Sequence, residues 1–323
     1  MPSWLFIGPN PLSGIGQVTM RYAQLMNGEY VEFMNDPKES TYDVGFAFVL
    51  PIEKFLNDTD RLMSRCVRKM YMTVCETETV SPTYGELVRR YARIYVPSEF
   101  CQRVFQRQFP DGTWNVLHHW APIPSRPSVP APTTPYVFYT IGNMLDPRKN
   151  IKMLIEAFLR LRMPDTTRLV LKATCHSPLT MKIPGVIVIN GLLSDEALDR
   201  VHDHCHCYVN CSHAEGVGMG AVEAALRNKP VIVSSYGGLS EYVKTPFIIR
   251  SDALVPIGSD DFLYTKDMLW GQPRLDDLIE HMRTCVSQRL VTWNHEHTRR
   301  VVEGVFHALS NDTLGVDGPA PVS

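Results

Sequence analysis

A chain of 323 residues, 44% hydrophobic and 20% charged, holds material for about two cores at roughly 150 residues each, and its composition is not collagen-like, coiled-coil or disordered. Thirty-two Lys and Arg against 34 Asp and Glu leave a formal charge of −2, which gives a nucleic acid no bulk attraction. The longest apolar stretch, near Val44–Ile52, falls well short of the roughly 20 residues that cross a bilayer, and eight cysteines in so long a chain are no disulfide framework.

The chain opens on MPSWLFIGPN, which lacks a basic start and reads as a first strand, not a signal peptide. The expectation is a soluble, cytoplasmic protein with reduced thiols. After SWLFIG comes a polar loop and then QVTMRYAQLM, an amphipathic helical pattern. YDVGFAFVL, KMYMTVCET and RIYVPS read as further strands, with helical stretches around Asp60–Lys69 and Glu99–Gln108. On that reading Arg61, Arg65, Arg68 and Lys69 share one helical face. Such a face could touch an anionic membrane peripherally, although a solvated surface is its commoner use.

The segment 121–135 has six prolines in fifteen positions, so it should be an extended, semi-stiff connector. Beyond it the architecture repeats: YVFYTIG, a polar loop, then IKMLIEAFLRL. TRLVLKA, GVIVING, CYVNCS and KPVIVSS read as strands, with SDEALDRVHDHC and GAVEAALRN as helices among them. Apolar β-branched runs separated by helices imply parallel sheets covered on both faces. The expected fold class is α/β, with two Rossmann-like domains whose sheets face each other across a cleft. The expected divisions are residues 1–120, a linker 121–135, a second domain 136–290, a helix 291–310 that can pack back on the first domain, and a disordered tail 311–323.

The stretch 211–243, CSHAEGVGMGAVEAALRNKPVIVSSYGGLSEYV, is the most informative. A strand is followed by a turn through Gly216, Val217, Gly218 and Met219, and then by a helix. Unpaired N–H groups and a positive dipole end at such a helix start suit a phosphate. Glu215 and Glu223 flank the turn. Their spacing alone says little, because Glu78 and Glu86 show it too; the order of strand, Glu, Gly-rich turn, helix and later Gly237-Gly238 adds the weight.

This stretch resembles the E-x7-E signature of retaining glycosyltransferases of family 4, which have the two-domain GT-B fold. VCETETVSP with RIYVPSEFCQRVF resembles the Trp-Glu-Thr and Val-Pro-Ser-Glu-Phe segments of one branch, with Cys75 where Trp is usual. IGNMLDPRKN resembles the donor-phosphate loop, with Asn143 where Arg is frequent, and LVLKAT resembles the strand that places a second basic residue. The similarity runs from about Trp4 to about Leu278 and is closest over 136–243. It implies that Arg148, Lys149 and Lys172 face the donor phosphates with Asn143, and that Glu223 holds the ribose. Glu215 with the amides of Gly216 to Gly218 would address the transferred sugar, Gly216, Val217, Gly218 and Met219 would bind the donor nucleotide and phosphate, and Gly14 and Gly16 would let the backbone approach donor or acceptor from the other domain. Glu76, Thr77, Glu78, His118 and His119 would lie on the acceptor side. No metal and no cofactor is implied: the donor would be a UDP- or GDP-sugar and the acceptor a glycan or glycolipid. Base, sugar, acceptor and oligomeric state are not encoded in these motifs.

Other readings compete with this one. A hydrolase pair is disfavoured, since eight helical residues rise about 12 Å against roughly 5–9.5 Å between glycosidase carboxylates. Gly14-Ile15-Gly16 with Asp36 could suggest a dinucleotide fingerprint, but the third glycine is missing. His202, His204, Cys205, His206 and Cys207 lack a second ligand pair at zinc spacing. A nucleotide-sugar epimerase of the same fold, or a sugar-nucleotide-binding protein without turnover, stays as the alternative.

Overall fold

The computed structural model describes residues 2–125, 135–174, 178–261 and 263–314. They form two compact units: one of Met1–Cys75, Thr79–Ala121 and the residues from Arg300 on, the other of Glu76–Glu78 and Pro122–Arg299. Residues 126–134 of the expected linker and 315–323 of the expected tail lie outside the described residues.

In the first unit, strand β1 (Trp4–Gly8) leads into helix α1 (Gly14–Met26), followed by β2 (Glu29–Glu32), β3 (Tyr42–Phe48), α2 (Glu53–Met63), β4 (Cys66–Met72), α3 (Gly85–Arg90), β5 (Ile94–Val96), α4 (Glu99–Gln108) and β6 (Trp114–Val116). The strands pair in parallel in the order β2-β1-β3-β4-β5-β6. Every residue of β1 is buried, as a strand covered on both faces requires. Ser13 Oγ starts α1 by accepting from Gly16 N at 3.0 Å, and Asn27 ends it with φ +53°. The helix expected around Asp60–Lys69 lies earlier, over Glu53–Met63, and only Asp60–Met63 of the expected stretch is helical. α2 stops at Met63, because the residues from Cys66 pair with β3 through Tyr42↔Cys66 and Phe46↔Met70. Sheet pairing overrides the local pattern here. Arg61 lies in the last turn of α2, Arg65 follows it, and Arg68 and Lys69 lie on β4, so the four share no helical face. Arg61 and Arg65 both bind Asp36, at 2.7 and 3.1 Å. The membrane expectation loses its premise.

The second unit contains β7 (Tyr136–Gly142), α5 (Ile151–Arg160), β8 (Thr167–Ala173), β9 (Val186–Ile189), α6 (Asp195–His204), β10 (Cys207–Asn210), α7 (Met219–Leu226), β11 (Val231–Ser234), α8 (Leu239–Tyr242), β12 (Ile248–Ile249), β13 (Ser251–Pro256), β14 (Leu269–Pro273) and α9 (Leu275–Ser287). Its parallel sheet runs β12-β11-β10-β7-β8-β9, and β13 and β14 form a separate antiparallel pair. Phe138, Leu154, Leu169, Leu171, Val209, Ile232 and Met282 are among the residues that fill its core. The last helix, α10 (Glu296–Leu314), begins later than residue 291, and residues 311–314, expected in the tail, are helical. No helix among the described residues is long and apolar enough to cross a membrane.

Candidate functional site

In the second sheet the chain order reverses between β7 and β10, which pair side by side. A ligand crevice forms at such a switch point, beyond the carboxyl ends of the strands. The loops leaving those two strands carry the candidate residues. Asn143 Oδ1 accepts from Leu145 N at 3.1 Å, and Asp146 Oδ1 accepts from Arg148 N at 2.9 Å. A short 3-10 turn, Pro147–Lys149, then hands over to α5 at Asn150, whose φ is +52°. The loop after β10 is tied to this one: His213 N donates to Arg148 O at 2.8 Å, and Asn150 Nδ2 to Cys211 O at 3.3 Å.

Glu215 is the hub. Only 4% exposed, it accepts from Lys149 Nζ at 2.6 Å, Ser212 Oγ at 2.8 Å and Asn210 Nδ2 at 3.1 Å on Oε1, and from Arg148 Nη1 at 3.0 Å on Oε2. Burial by itself would raise its pKa, but Lys149 and Arg148 outweigh it and hold the carboxyl down to about 2. Arg148 also meets Glu76 at 2.7 Å, Asp146 at 3.1 Å and the Ala214 carbonyl at 3.1 Å. Burial would lower the guanidinium pKa; Glu76, Glu215 and Asp146 raise it. A small cavity of about 30 Å³ is lined here by Gly142, Lys149, Asn210, Glu215, Gly218 and Gly220 among others.

The Gly-rich turn divides in two. Gly216 and Val217 are buried beneath the surface, whereas Gly218, Met219 and Gly220 line the cavity. Gly218 takes φ +79° to start α7. Gly237, at φ +101°, lies against the backbone of Glu215, and Gly238 N donates to Glu215 O at 2.8 Å. Glu223 lies one turn into α7, 8% exposed, and does not line the cavity around Glu215.

The other expected residues lie elsewhere or act differently. Lys172 is buried on β8, its Nζ donating to the carbonyls of Gly191 at 2.5 Å and Ala173 at 3.4 Å, which explains a lysine inside an apolar strand. Gly14 is exposed with open space where a Cβ would stand; at Gly16 a Cβ would be 2.2 Å from Asn10 O, so this glycine accommodates its own loop. His119 is buried in the first unit with Nδ1 3.0 Å from Tyr22 Oη, and that hydroxyl donates to His118 O at 2.8 Å. Burial first, then the charges of His118 and Arg21, push the His119 pKa down to about 3. Glu76, Thr77 and Glu78 do not end a strand, since β4 stops at Met72; they cluster with the second unit. There Tyr264 Oη donates to Glu76, Tyr236 Oη donates to Glu78 at 3.0 Å, and Glu78 N donates to Leu269 O at 2.9 Å. His202 binds Tyr139 Oη at 2.7 Å and His206 Nδ1 accepts from Val137 N at 3.0 Å, and no group of three metal-ligating side chains occurs among the described residues. Sequence reading missed Asp146, Asn210, Ser212, Tyr236 and Tyr264. An Asp-Pro turn signal could have found the first.

The sequence model of the family described as Glycosyl transferases group 1 matches residues 124–248, the part that holds this site apart from Glu76. No curated protein matches the chain. Among solved structures, sucrose-phosphate synthase from Thermosynechococcus elongatus superposes with a TM-score of 0.62 at 12% identity, over 97% of this chain and 98% of that one. WaaG, a glycosyltransferase involved in lipopolysaccharide biosynthesis, gives 0.60 at 10% identity, over 97% and 100%. The fold is GT-B. A third such structure, the pneumococcal O-GlcNAc transferase GtfA in complex with UDP and GlcNAc, gives 0.55 at 13% identity over 93% of this chain, which spans 60% of that longer one. In this GT-B chain the family match falls on the second unit and its β7/β10 switch point.

Proposed function

We propose that the protein is a retaining, metal-independent glycosyltransferase that moves a sugar from a UDP- or GDP-sugar to a hydroxyl of a glycan or glycolipid. One observation carries the reading: a buried carboxylate, Glu215, tied to Lys149 at the switch point, directly ahead of the Gly218–Gly220 start of α7. The match to group 1 glycosyl transferases over the same residues supports it.

In this reaction the bond between the anomeric carbon and the leaving phosphate oxygen breaks, and the electron pair stays on the phosphate. Lys149 and the first amides of α7 meet that growing negative charge. The acceptor oxygen attacks from the same face and passes its proton to the departing phosphate, so no protein nucleophile is required. Glu215 addresses the sugar and Glu223 the ribose. Arg148, enclosed by three carboxylates, contributes less to the phosphate than its sequence position suggests.

Glu223 provides the test. Glu223→Ala should weaken UDP or GDP binding by roughly 1.5–3 kcal/mol, the worth of hydrogen bonds to a charged acceptor. A nucleotide lacking the ribose hydroxyls should lose little more, and isothermal titration of both ligands against both proteins isolates the contact. Wild-type-like binding of every nucleotide by folded Glu223→Ala would remove the donor from this helix. Turnover that EDTA abolishes and Mg²⁺ restores would overturn metal independence. Release of nucleoside diphosphate with and without acceptor separates transfer from epimerisation or binding alone.

A further inference from the structure

The Arg148 guanidinium offers two terminal nitrogens to four acceptors. Nη1 meets Glu76 Oε1 at 2.7 Å, Glu215 Oε2 at 3.0 Å and Ala214 O at 3.1 Å, and Nη2 meets Asp146 Oδ2 at 3.1 Å. Its side chain is 15% exposed, so water competes little for these bonds. Three of the acceptors, on Asp146, Ala214 and Glu215, come from the loops at the switch point. The fourth, Glu76, comes from a distant stretch of chain and is fixed in place: Tyr264 Oη donates to Glu76, Thr77 is 1% exposed, and Glu78 is bound through its amide to Leu269 and through its carboxylate to Tyr236. A solvated ion pair needs no such scaffold.

We propose that Glu76 is a positioning residue: it keeps Arg148 directed at Glu215 and withholds that guanidinium from the donor diphosphate, leaving Lys149 as the cation that meets the phosphate. The inference rests on the glycosyl-transfer reading above. Glu215 and the Ala214 carbonyl already engage both Nη1 hydrogens, so Glu76 shares this nitrogen and adds a third carboxylate around the guanidinium. Without that charge the arginine would be less neutralised and drawn to a neighbouring diphosphate; Glu76 holds it back. Binding energy that would tighten substrate and leaving group alike is thereby avoided, and the contact to Lys149 counts mainly as charge develops.

The probes are UDP and GDP, titrated into the full chain. Glu76→Gln keeps the shape and removes the charge, so it should tighten the nucleoside diphosphate that wild type binds, by about tenfold, the factor equivalent to about 1.4 kcal/mol. Glu76→Asp should restore wild-type affinity. In an Arg148→Gln background, Glu76→Gln should produce no tightening, because the cation it releases is gone. Tyr264→Phe, which removes only the support of Glu76, should act in the same direction more weakly, and it carries the test if Glu76→Gln fails to fold. A purely structural ion pair would lower the thermal midpoint while leaving affinity unchanged or reduced; that result in Glu76→Gln, or in Tyr264→Phe as its substitute, overturns the proposal alone. Wild type that binds neither nucleotide overturns the glycosyl-transfer reading, and this inference with it.

Discussion

Gly237 holds φ at +101°, and a Cβ there would stand 2.3 Å from the carbonyl oxygen of Glu215, which Gly238 N already binds. Gly237→Ala should cost at least about 2 kcal/mol in urea denaturation, since left-handed strain and a backbone clash coincide. Gly14→Ala meets open space at the start of α1 and should be neutral or stabilising by up to about 1 kcal/mol. On the proposed glycosyl-transfer reading, Lys149→Ala should lower kcat about a hundredfold, the worth of one well-placed donor to developing charge. A change confined to KM would make Lys149 a docking charge only. Glu215 and Lys149 were legible in the sequence because each stands in a strand-loop-helix passage whose order is itself a signal. The Arg148–Glu76 pair was not. Residues so far apart in the chain meet only when Glu78 is fixed beside β14, and no local spacing encodes that.

The helix beneath the site tolerates little change. α7 is buried on most of its surface, and at Gly220 a Cβ would lie 2.2 Å from Tyr208 Oη, on the neighbouring strand β10. Gly220→Ala should destabilise by about 1–3 kcal/mol through overpacking. Tyr208→Phe in the same chain should recover part of that loss, and the thermodynamic cycle reads the coupling. Elements with continuous apolar runs could be read closely: β7 and β8 span the residues expected of them. The pair β13 and β14 could not. Four of the six residues of Ser251–Pro256 are exposed, so it lacks the buried apolar alternation that marks a strand. Its partner Leu269–Pro273 joins it by backbone pairing, and Gly271 and Trp270 reach His213 beside the site.

Across the whole molecule, acid should act on the first unit through His119 and on the second through Glu215 together with His202, His213 and His295, whose pKa values burial also lowers. His119 is buried neutral, with its pKa pushed down to about 3, so its contribution is present above the usual histidine range near 6.5 and is lost as pH falls toward 3. Glu215 is buried ionised, held at about 2, so its contribution is present above about 4.5 and is lost as pH falls toward 2. Urea midpoints measured from about pH 7 downward should therefore begin to fall before carboxylates titrate, and His119→Phe should lessen that first portion without abolishing it, because burial also holds His202 down in the second unit. Each pKa unit displaced corresponds to about 1.4 kcal/mol. The two-unit organisation was visible in the sequence because both halves open with the same strand, loop and helix; the reach of Glu76–Glu78 into the second unit was not. The ring of Glu76, Asp146, Glu215, Arg148 and Lys149 sets three negative charges against two positive ones, in a chain whose own net charge is −2. A diphosphate approaching it gains no long-range attraction, and added salt has nothing favourable to screen. Nucleotide association rates measured by stopped flow should hold steady or rise with ionic strength, the reverse of what a basic phosphate site shows.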